Sequence, residues 1–249
     1  MKTLVARGVA ALAILTAGGA PAAPARTPAY VTSAVADTTR PAADTATDAA
    51  RDPADTLAFA GVRPGMTVAE LFPGAGSYSR MLSDIVGPRG RVYGIENAGW
   101  KEAVKLDQAM AAEPGRSNFT LQVQPFGQFE LPTRVDLFWI TQNYHDLHIA
   151  KYGTVDLADF NRRVFQALKP GGVYLVIDHQ ANPGVTEAQI AVLHRIEKAQ
   201  VIREVTAAGF RLVGEGAFLR QAGDDHTLPI FDAKVQGRTD QYALRFVRP

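Results

Sequence analysis

The chain has 249 residues, of which 47% are hydrophobic and 20% charged, and this composition is typical of one globular domain with a substantial core. The 26 Lys and Arg residues nearly balance the 25 Asp and Glu residues, so the charge gives no basic footprint for nucleic acid. The sequence contains no cysteine, which excludes disulfides, thiolate metal sites, thiol catalysis and a cysteine-linked lipid anchor.

The first 25 residues are typical of a secretory signal peptide. Lys2 and Arg7 accompany the apolar run GVAALAILTAGGA, and small residues with A-x-A spacing follow at 20–22 and 23–25. The apolar run is too short for a membrane span. We therefore expect cleavage near residue 25 and export, to the periplasm, of a protein without a stable membrane anchor.

Residues 26–50 are rich in Ala, Thr, Asp and Pro and show little apolar periodicity. This composition predicts a disordered lead-in. From residue 51 to residue 249 the chain alternates helix-like and strand-like segments, which predicts one further domain.

The helices and strands of this domain can be predicted in chain order. Asp52 and Pro53 are typical of the N-cap and first position of a helix, and glycine follows several helical segments. The predicted helices are DPADTLAFAGV, SYSRMLSDIVG, KEAVKLDQAMAAEPG, DLADFNRRVFQALKPGG and one long helix over residues 187–208. The predicted strands are PGMTVAELF, GRVYGIE, FTLQVQPF, RVDLFWITQ, VYLVIDH, FRLVGEGAFLR and DQYALRFVRP.

Strands alternating with helices, with continuous apolar runs in the strands, predict a parallel sheet covered by helices on both faces. The last two strands have no helix between them and are most easily antiparallel neighbours. The predicted fold is therefore α/β, a Rossmann-like doubly wound sheet that is mostly parallel with a reversed last strand.

The stretch ELFPGAGSYSR joins the first predicted strand to a helix. Gly74 and Gly76 allow the backbone to approach a ligand at the carboxyl end of that strand. Glu96 ends the second strand about 20 residues later, where an acid commonly accepts hydrogen bonds from both ribose hydroxyls. Phe72 and Pro73 stand where such turns normally begin with glycine, so the pattern indicates an altered cofactor turn, with a simple tight turn as the alternative.

Polar side chains gather after the fourth and fifth predicted strands. One interpretation makes His145 a general base oriented by Asp146 or Asp178. Another is a metal site of His145 and His148 with His179 or His226, and a third is that each histidine only bonds a loop backbone. Most of the five histidines, His194 included, are expected at this edge of the sheet, and spacing leaves the role of each open, so we assign no metal ligand from it. The catalytic candidates are Asn143, Tyr144, His145, Asp146 and His179.

The order of the segments GVRPGMTVAELFPGAGSYSR, RVYGIE, VDLFWITQNYHDLH, ALKPGGVYLVIDH and VIREVTAAGFRLVGE resembles class I S-adenosylmethionine-dependent methyltransferases, from about residue 52 to residue 249. More narrowly, the signal peptide, HRI at 194–196, DDHTLPIFD and GRTDQYALRF are similar to a group of exported bacterial proteins described as predicted methyltransferases.

This resemblance implies a seven-stranded sheet with a reversed last strand, and S-adenosyl-L-methionine as the cofactor. It implies cofactor contacts at Glu70, Gly74, Gly76 and Glu96, and we add Phe72, Ala75 and Tyr78 from the same stretch as candidates. Many relatives place an acid near the adenine amine after the third strand, where this chain has Gln124, Pro125 and Phe126.

The leading hypothesis is a methyltransferase acting on a small molecule, since methyl transfer depends mainly on positioning. The alternatives are an exported non-catalytic binding protein on the same fold and a metal-dependent hydrolase that uses the histidines. Export stands against the first hypothesis because S-adenosylmethionine is made in the cytoplasm. The sequence does not specify the methyl acceptor or the oligomeric state.

Overall fold

The computed structural model describes residues 27–249, so the predicted signal peptide lies outside the described residues. The strands are β1 (Thr67–Leu71), β2 (Arg91–Asn97), β3 (Phe119–Gln124), β4 (Val135–Thr141), β5 (Leu168–His179), β6 (Arg211–Gly216) and β7 (Gln241–Val247). The helices are α1 (Ala29–Val35), α2 (Ala42–Thr45), α3 (Asp48–Arg51), α4 (Pro53–Ala60), α5 (Ser77–Val86), α6 (Lys101–Ala111), α7 (Leu157–Ala167), α8 (Glu187–Leu193) and α9 (Lys198–Ala207), with short 3₁₀ turns at His145–His148 and Ala150–Tyr152.

The strands form one seven-stranded sheet in the order β3-β2-β1-β4-β5-β7-β6. The strands from β1 to β5 pair in parallel, whereas β7 lies antiparallel between β5 and β6. The predicted α/β fold with a reversed last strand is confirmed. Because the winding reverses between β1 and β4, the carboxyl ends of these two strands border the crevice where ligands bind in such sheets.

Strand β4 shows how an uninterrupted apolar run serves both faces of the sheet. Phe138 and Ile140 pack into the core on one face, and Leu137 and Trp139 pack into the core on the other. All four side chains are buried. Because successive strand residues point to opposite faces, such a strand requires helices on both sides.

The lead-in over residues 26–50, predicted to be disordered, forms helices from residue 29 onward in the structure. Val31 and Ala34 of α1 are buried in the core on the α5 side of the sheet. The Arg80 guanidinium of α5 donates to Asp44 of α2, with Nη1 and Oδ2 2.9 Å apart. A few apolar side chains and this buried ion pair are sufficient to order the lead-in, because the segment docks on α5, a helix that the rest of the domain already holds in place.

The predicted long helix over residues 187–208 is instead two helices, α8 and α9, separated by residues 194–197. His194 adopts a left-handed conformation with φ of 53° and ends α8. The next two residues turn towards the sheet, where the Ile196 amide donates to the His179 carbonyl at 3.0 Å. The Arg195 side chain is fully buried and binds Asp224 through two nitrogen–oxygen contacts of 2.8 and 3.1 Å. These tertiary contacts outweigh the local helical preference.

We predict that Asp44→Ala lowers the free energy of unfolding by about 3 kcal/mol, because it leaves the buried Arg80 charge without one of its partners. Urea denaturation followed by circular dichroism measures the change. Asp55→Ala is the matched control, since Asp55 is exposed at the start of α4 and its loss should change stability by less than about 0.5 kcal/mol. Equal stability of the two variants would show that the lead-in does not dock in solution.

Candidate functional site

A cavity of about 520 Å³ opens at the carboxyl edge of the sheet, next to the ends of β4 and β5. We call it the histidine pocket, and its lining residues are Arg51, Trp100, Gln142, Asn143, His145, Asp146, Tyr152, His179, His194, Ile230 and Phe231. A larger surface cavity of about 770 Å³ is lined by α7, α9 and their caps. We place the candidate site at the histidine pocket because it has the strand-end position that ligands use in this architecture.

His145 is held at two points by Asp178, which lies near the end of β5. The His145 amide donates to Asp178 Oδ2 at 2.7 Å, and His145 Nδ1 lies 2.7 Å from Asp178 Oδ1. Both residues are almost completely buried. Asp178 is one of the two carboxylates that the sequence analysis considered for orienting His145, and it does contact the ring. It fixes the ring so that His145 Nε2 is directed at His194 and Asp146.

Asp146 and His194 complete a compact group with His145. His145 Nε2 lies 3.2 Å from His194 Nδ1 and 3.3 Å from Asp146 Oδ1, and His194 Nδ1 lies 3.4 Å from the same carboxylate oxygen. The Asn143 amide donates to the other oxygen, Asp146 Oδ2, at 2.8 Å. Three of the predicted catalytic residues therefore meet, together with His194.

The two carboxylates beside His145 control its charge. Burial by itself lowers the pKa of His145, but the negative charges of Asp178 and Asp146 outweigh burial and raise this pKa to about 10. Burial likewise raises the pKa of Asp146, and its contacts with His145 and His194 reverse this and lower it overall. His145 is thus a cation at neutral pH, and its role as a general base stays a prediction that requires loss of this proton.

His179 lies beside this group but has a different protonation state from His145. Its ring centre is 6.0 Å from that of His145, and its Nδ1 lies 2.8 Å from the Thr239 hydroxyl. Burial lowers the pKa of His179 to about 3, so the ring is neutral. Its predicted catalytic role stays open, with a neutral ring at the edge of the pocket.

The structure places two other histidines outside the group. His148 Nε2 lies 3.2 Å from Glu204, and His226 Nε2 lies 2.9 Å from Asp240. The considered metal site of His145 and His148 with His179 or His226 is therefore not the one that the fold assembles.

Tyr144 is also directed away from the histidine pocket. It is fully buried, and its hydroxyl lies 2.9 Å from Glu204 Oε2 and accepts from the Asn161 amide at 2.8 Å. This position gives Tyr144 a structural role in the core and differs from the catalytic contact expected from the sequence.

The glycine turn after β1 lies at the same edge of the sheet. Gly74 has φ of 64°, and a Cβ placed there meets no atom within 4 Å, so its outer face is open. Gly76 has φ of 78°, and its Cβ would lie 2.6 Å from Met110, so this glycine allows α5 and α6 to pack. Gly74 is the better position for a cofactor to approach the backbone.

Two predicted cofactor contacts in this stretch, Glu70 and Tyr78, are buried in the protein interior, whereas the Ala75 residue is exposed. Glu70 accepts a 2.5 Å hydrogen bond from Ser79, and burial raises the pKa of this carboxyl to about 7. The Ala75 carbonyl accepts from Arg80 at 2.8 Å. Tyr78 packs against Trp139 and donates its hydroxyl to a backbone carbonyl of α3 at 3.0 Å. Glu70 and Tyr78 therefore support the turn from within the core, whereas the exposed Ala75 stays a candidate cofactor contact.

Glu96 has the position expected of a ribose acceptor at the end of β2. Its Oε1 accepts the Asn97 amide at 2.6 Å, and within residues 27–249 Oε2 makes no hydrogen bond of good geometry, although Asp107 and the Gly74 amide lie near the carboxyl group and partly offset the rise of its pKa on burial. Burial raises the pKa of Asp107 to about 9, with a further contribution from the Glu96 charge. Even if the protonated Asp107 donates to Glu96, that carboxylate keeps acceptor capacity for two hydroxyl groups. This chemistry fits the ribose of an adenosyl cofactor.

Four rings lie between Glu96 and the histidine pocket. We call Phe72, Trp100, Phe126 and Tyr152 the aromatic cluster. The Phe72 ring centre lies 4.8 Å from that of Trp100 and 5.4 Å from that of Phe126, and Trp100 lies 5.3 Å from Tyr152. The crevice between Phe72, Glu96 and the end of β3 has a volume of only about 10 Å³. An adenosyl group can enter it only if rings of the aromatic cluster move aside.

Backbone strain concentrates at this edge of the sheet. Phe72 follows β1 with φ of 57°, and Gln142 follows β4 with φ of 62°. His194, with φ of 53°, borders the same pocket. Left-handed conformations of residues other than glycine are unfavourable and often mark functional sites. The strained backbone is therefore a second indication, independent of the side-chain contacts, that the functional site lies at this edge of the sheet.

Sequence reasoning placed His194 among the histidines at this edge of the sheet but left its role open, because it fell in the long predicted helix or the connection before it. The motif HRI, singled out by the resemblance, was the available signal. Trp100, Tyr152 and Phe231 were missed, since each lies in a loop or short turn that carries no periodic pattern.

The sheet order, the glycine turn after β1 and the acid at the end of β2 define an α/β protein of the nucleotide-cofactor-binding kind. The chain belongs to the family described as methyltransferase domain, whose sequence model matches residues 63–227. The expected enzyme class, a methyltransferase, is therefore confirmed at the level of the family. No curated protein matches the chain.

Solved structures show the same fold at low sequence identity. A SAM-dependent methyltransferase from Aquifex aeolicus is similar with a TM-score of 0.58 and 21% identity, over 80% of this chain and 90% of that one. An S-adenosylmethionine-dependent methyltransferase from Mesorhizobium loti gives 0.56 and 18%, over 81% and 100%. The glycopeptide N-methyltransferase MtfA, solved with S-adenosyl-L-methionine, gives 0.54 and 17%, over 82% and 87%.

We predict that His145 keeps protons on both ring nitrogens at about pH 8, whereas His179 stays neutral at about pH 5, as measured by ¹⁵N NMR in buffer with a chelator. Asp178→Asn should lower the pKa of His145, because it removes the larger attractive charge. The His145 proton stabilises the fold below the unfolded pKa of about 6.5, and this stability is lost as the pH rises towards 10.

The control for this measurement is Asp225→Asn, which removes an exposed carboxylate from the loop after β6. It should leave both histidine titrations unchanged. Titration of His145 near about 6.5 in the unmodified protein would show that the carboxylates do not hold its proton.

Proposed function

We propose that the protein is an exported enzyme that transfers the methyl group of S-adenosylmethionine to a small molecule bound in the histidine pocket. The observation that carries the proposal is the Glu96 carboxylate, which retains acceptor capacity beside the open face of Gly74 in a chain of the methyltransferase domain family.

The cofactor would be held at the carboxyl ends of β1 and β2. Glu96 would accept hydrogen bonds from the ribose hydroxyls, and the Gly74 backbone would lie against the cofactor without an intervening side chain. When bound, S-adenosylmethionine supplies an activated methyl group on a sulfonium. The protein's own contribution is to orient the acceptor and to exclude water.

The size and lining of the histidine pocket support a small acceptor with one polar end. A volume of about 520 Å³ is within the range of small-molecule sites. The buried His145 cation and the Asn143 side chain make one end of the pocket polar, and Trp100, Ile230 and Phe231 offer apolar surface. Because both ring nitrogens of His145 face protein groups, this residue would act on the acceptor through its positive charge, and it would serve as a base only after release of its proton.

The aromatic cluster links the two parts of this proposal. Phe72 lines the cofactor crevice, whereas Trp100 and Tyr152 line the histidine pocket. In the closed arrangement these rings exclude water from the space between cofactor and acceptor. Binding of the cofactor would have to displace them, so cofactor affinity includes the free energy of opening the aromatic cluster.

We predict that S-adenosylhomocysteine binds the mature chain in a calorimetric titration and that Glu96→Gln weakens binding by about 1 to 3 kcal/mol, because one charged acceptor of the ribose hydroxyls is lost. Glu102→Gln is the matched control, since Glu102 is exposed on α6 and pairs only with Lys105 at the surface. Absence of binding at millimolar ligand would refute the methyltransferase proposal and favour the non-catalytic binding protein.

A fluorescence readout separates cofactor entry from surface binding in the same titration. The chain has two tryptophans, Trp100 in the aromatic cluster and Trp139 in the core. Ligand binding should change the emission of the unmodified protein, and Trp100→Phe should bind with little change in the remaining Trp139 signal. A full fluorescence change in Trp100→Phe would contradict movement of the aromatic cluster.

Export forms the second part of the proposal. The basic and apolar pattern of residues 1–25 supports it, and in the described part of the chain no helix is long and apolar enough to cross a membrane. We predict that the full chain expressed in a bacterial host is recovered from the periplasm with an N-terminus near residue 26, as read by mass spectrometry. A chain lacking residues 1–25 should stay in the cytoplasm, and an uncleaved cytoplasmic full chain would contradict export.

A further inference from the structure

The group formed by His145, Asp146 and His194 has the dimensions of a metal-binding site. One atom from each residue, His145 Nε2, Asp146 Oδ1 and His194 Nδ1, forms a triangle with edges of 3.2, 3.3 and 3.4 Å. Three ligands about 2.1 Å from one ion are about 3.4 Å apart in a tetrahedron and about 3.0 Å apart in an octahedron. The three edges fall within this interval without any movement of the chain.

Asp146 provides an independent observation. The residue is buried, and within residues 27–249 its Oδ1 makes no hydrogen bond of good geometry, because the two nearest imidazole nitrogens lie 3.3 and 3.4 Å away and contact it only as an ion pair. A buried carboxylate oxygen without a partner is costly. A cation between this oxygen and the two nitrogens would satisfy it.

The neighbouring groups leave the three triangle atoms available. Asp178 lies 2.7 Å from His145 Nδ1, so that nitrogen keeps its proton towards the carboxylate, while an ion at the centre of the triangle would displace the proton from Nε2. Asn143 donates to Asp146 Oδ2, so Oδ1 is the remaining oxygen. A carboxylate behind a histidine ligand and an amide behind a carboxylate ligand are the usual supports of metal sites.

We propose that His145, Asp146 and His194 bind one divalent first-row transition-metal ion of the Zn²⁺ type, with its remaining positions open to the histidine pocket. Two imidazoles and one carboxylate favour such an ion over Mg²⁺ and Ca²⁺, which prefer oxygen ligands. The ion would lie in the wall of the acceptor pocket, where it could bind an oxygen, nitrogen or sulfur atom of a small molecule.

This site extends the proposed function and does not depend on it. The three ligands come from the turn after β4 and the break between α8 and α9, whereas the cofactor residues come from the turn after β1 and from β2. Loss of S-adenosylhomocysteine binding would therefore leave the metal site intact, and loss of metal would leave the Glu96 site intact.

The test uses the mature chain without an affinity tag, stripped with a chelator and titrated with Zn²⁺ in a calorimeter. We expect one ion per chain, no binding of Mg²⁺ under the same conditions, and visible d–d absorption when Co²⁺ replaces Zn²⁺. Asn143→Ala should weaken Zn²⁺ binding about 10- to 100-fold, since it removes the support of Asp146. Asp146→Asn and His194→Gln should weaken binding more than Asn143→Ala does.

The matched control is His226→Gln, because His226 also pairs with a carboxylate at the same edge of the sheet but lies outside the triangle. It should bind Zn²⁺ like the unmodified protein. If Asp146→Asn and His194→Gln also bind like the unmodified protein, or if no ion binds at micromolar concentration, the proposal is overturned.

A measurement on the unmodified chain covers the case in which a ligand variant does not fold. In histidine NMR spectra, Zn²⁺ should shift the ring signals of His145 and His194 and leave those of His148 and His226 in place. Shifts confined to His148 or His226 would assign the ion to another site and refute this one.

Discussion

The buried ion pair between Arg195 and Asp224 is the interaction on which the arrangement of the functional site depends. Arg195 also donates to the carbonyls of Leu228 and Gln180, so its guanidinium joins three separate segments. Removing a guanidinium from water is unfavourable unless its donors are satisfied, and here the satisfied position exists only when α8 and α9 are broken apart. The break turns His194 into the pocket and brings Ile196 beside β5.

The same ion pair also organises the segment between β6 and β7, in which several polar residues are linked to Asp224. Asp224 accepts from the Asp240 amide at 2.7 Å, and Asp240 in turn binds Arg220 and His226. The segment between β6 and β7 is therefore folded around Arg195, and its Ile230 and Phe231 form part of the pocket wall. Loop residues that carry no secondary structure are thereby positioned as firmly as those on strands.

The fold could be predicted because its signals are local. Uninterrupted apolar strands such as β4 and glycines that end helices, such as Gly87, depend on the geometry of a few neighbouring residues. The two failures have a different origin. Helix α1 docks through Val31 and Ala34 on a surface made by distant residues, and the break at His194 is caused by contacts of Arg195 with residues 15 or more positions away. For the site, the residues after β4 and β5 were predicted from strand-end position, whereas the partner of His145 across the pocket required the tertiary structure.

The aromatic cluster has a consequence for how the two ligand compartments communicate. Phe72 borders one compartment, Trp100 and Tyr152 border the other, and the rings of Phe72 and Trp100 are in contact. A ligand that displaces these rings from either side supplies the free energy of opening the aromatic cluster. A second ligand then binds without that cost. Thermodynamic reciprocity then requires each ligand to raise the affinity for the other by the same factor. The substitution of the first turn glycine by Phe72 would thus convert two adjacent binding events into a cooperative pair.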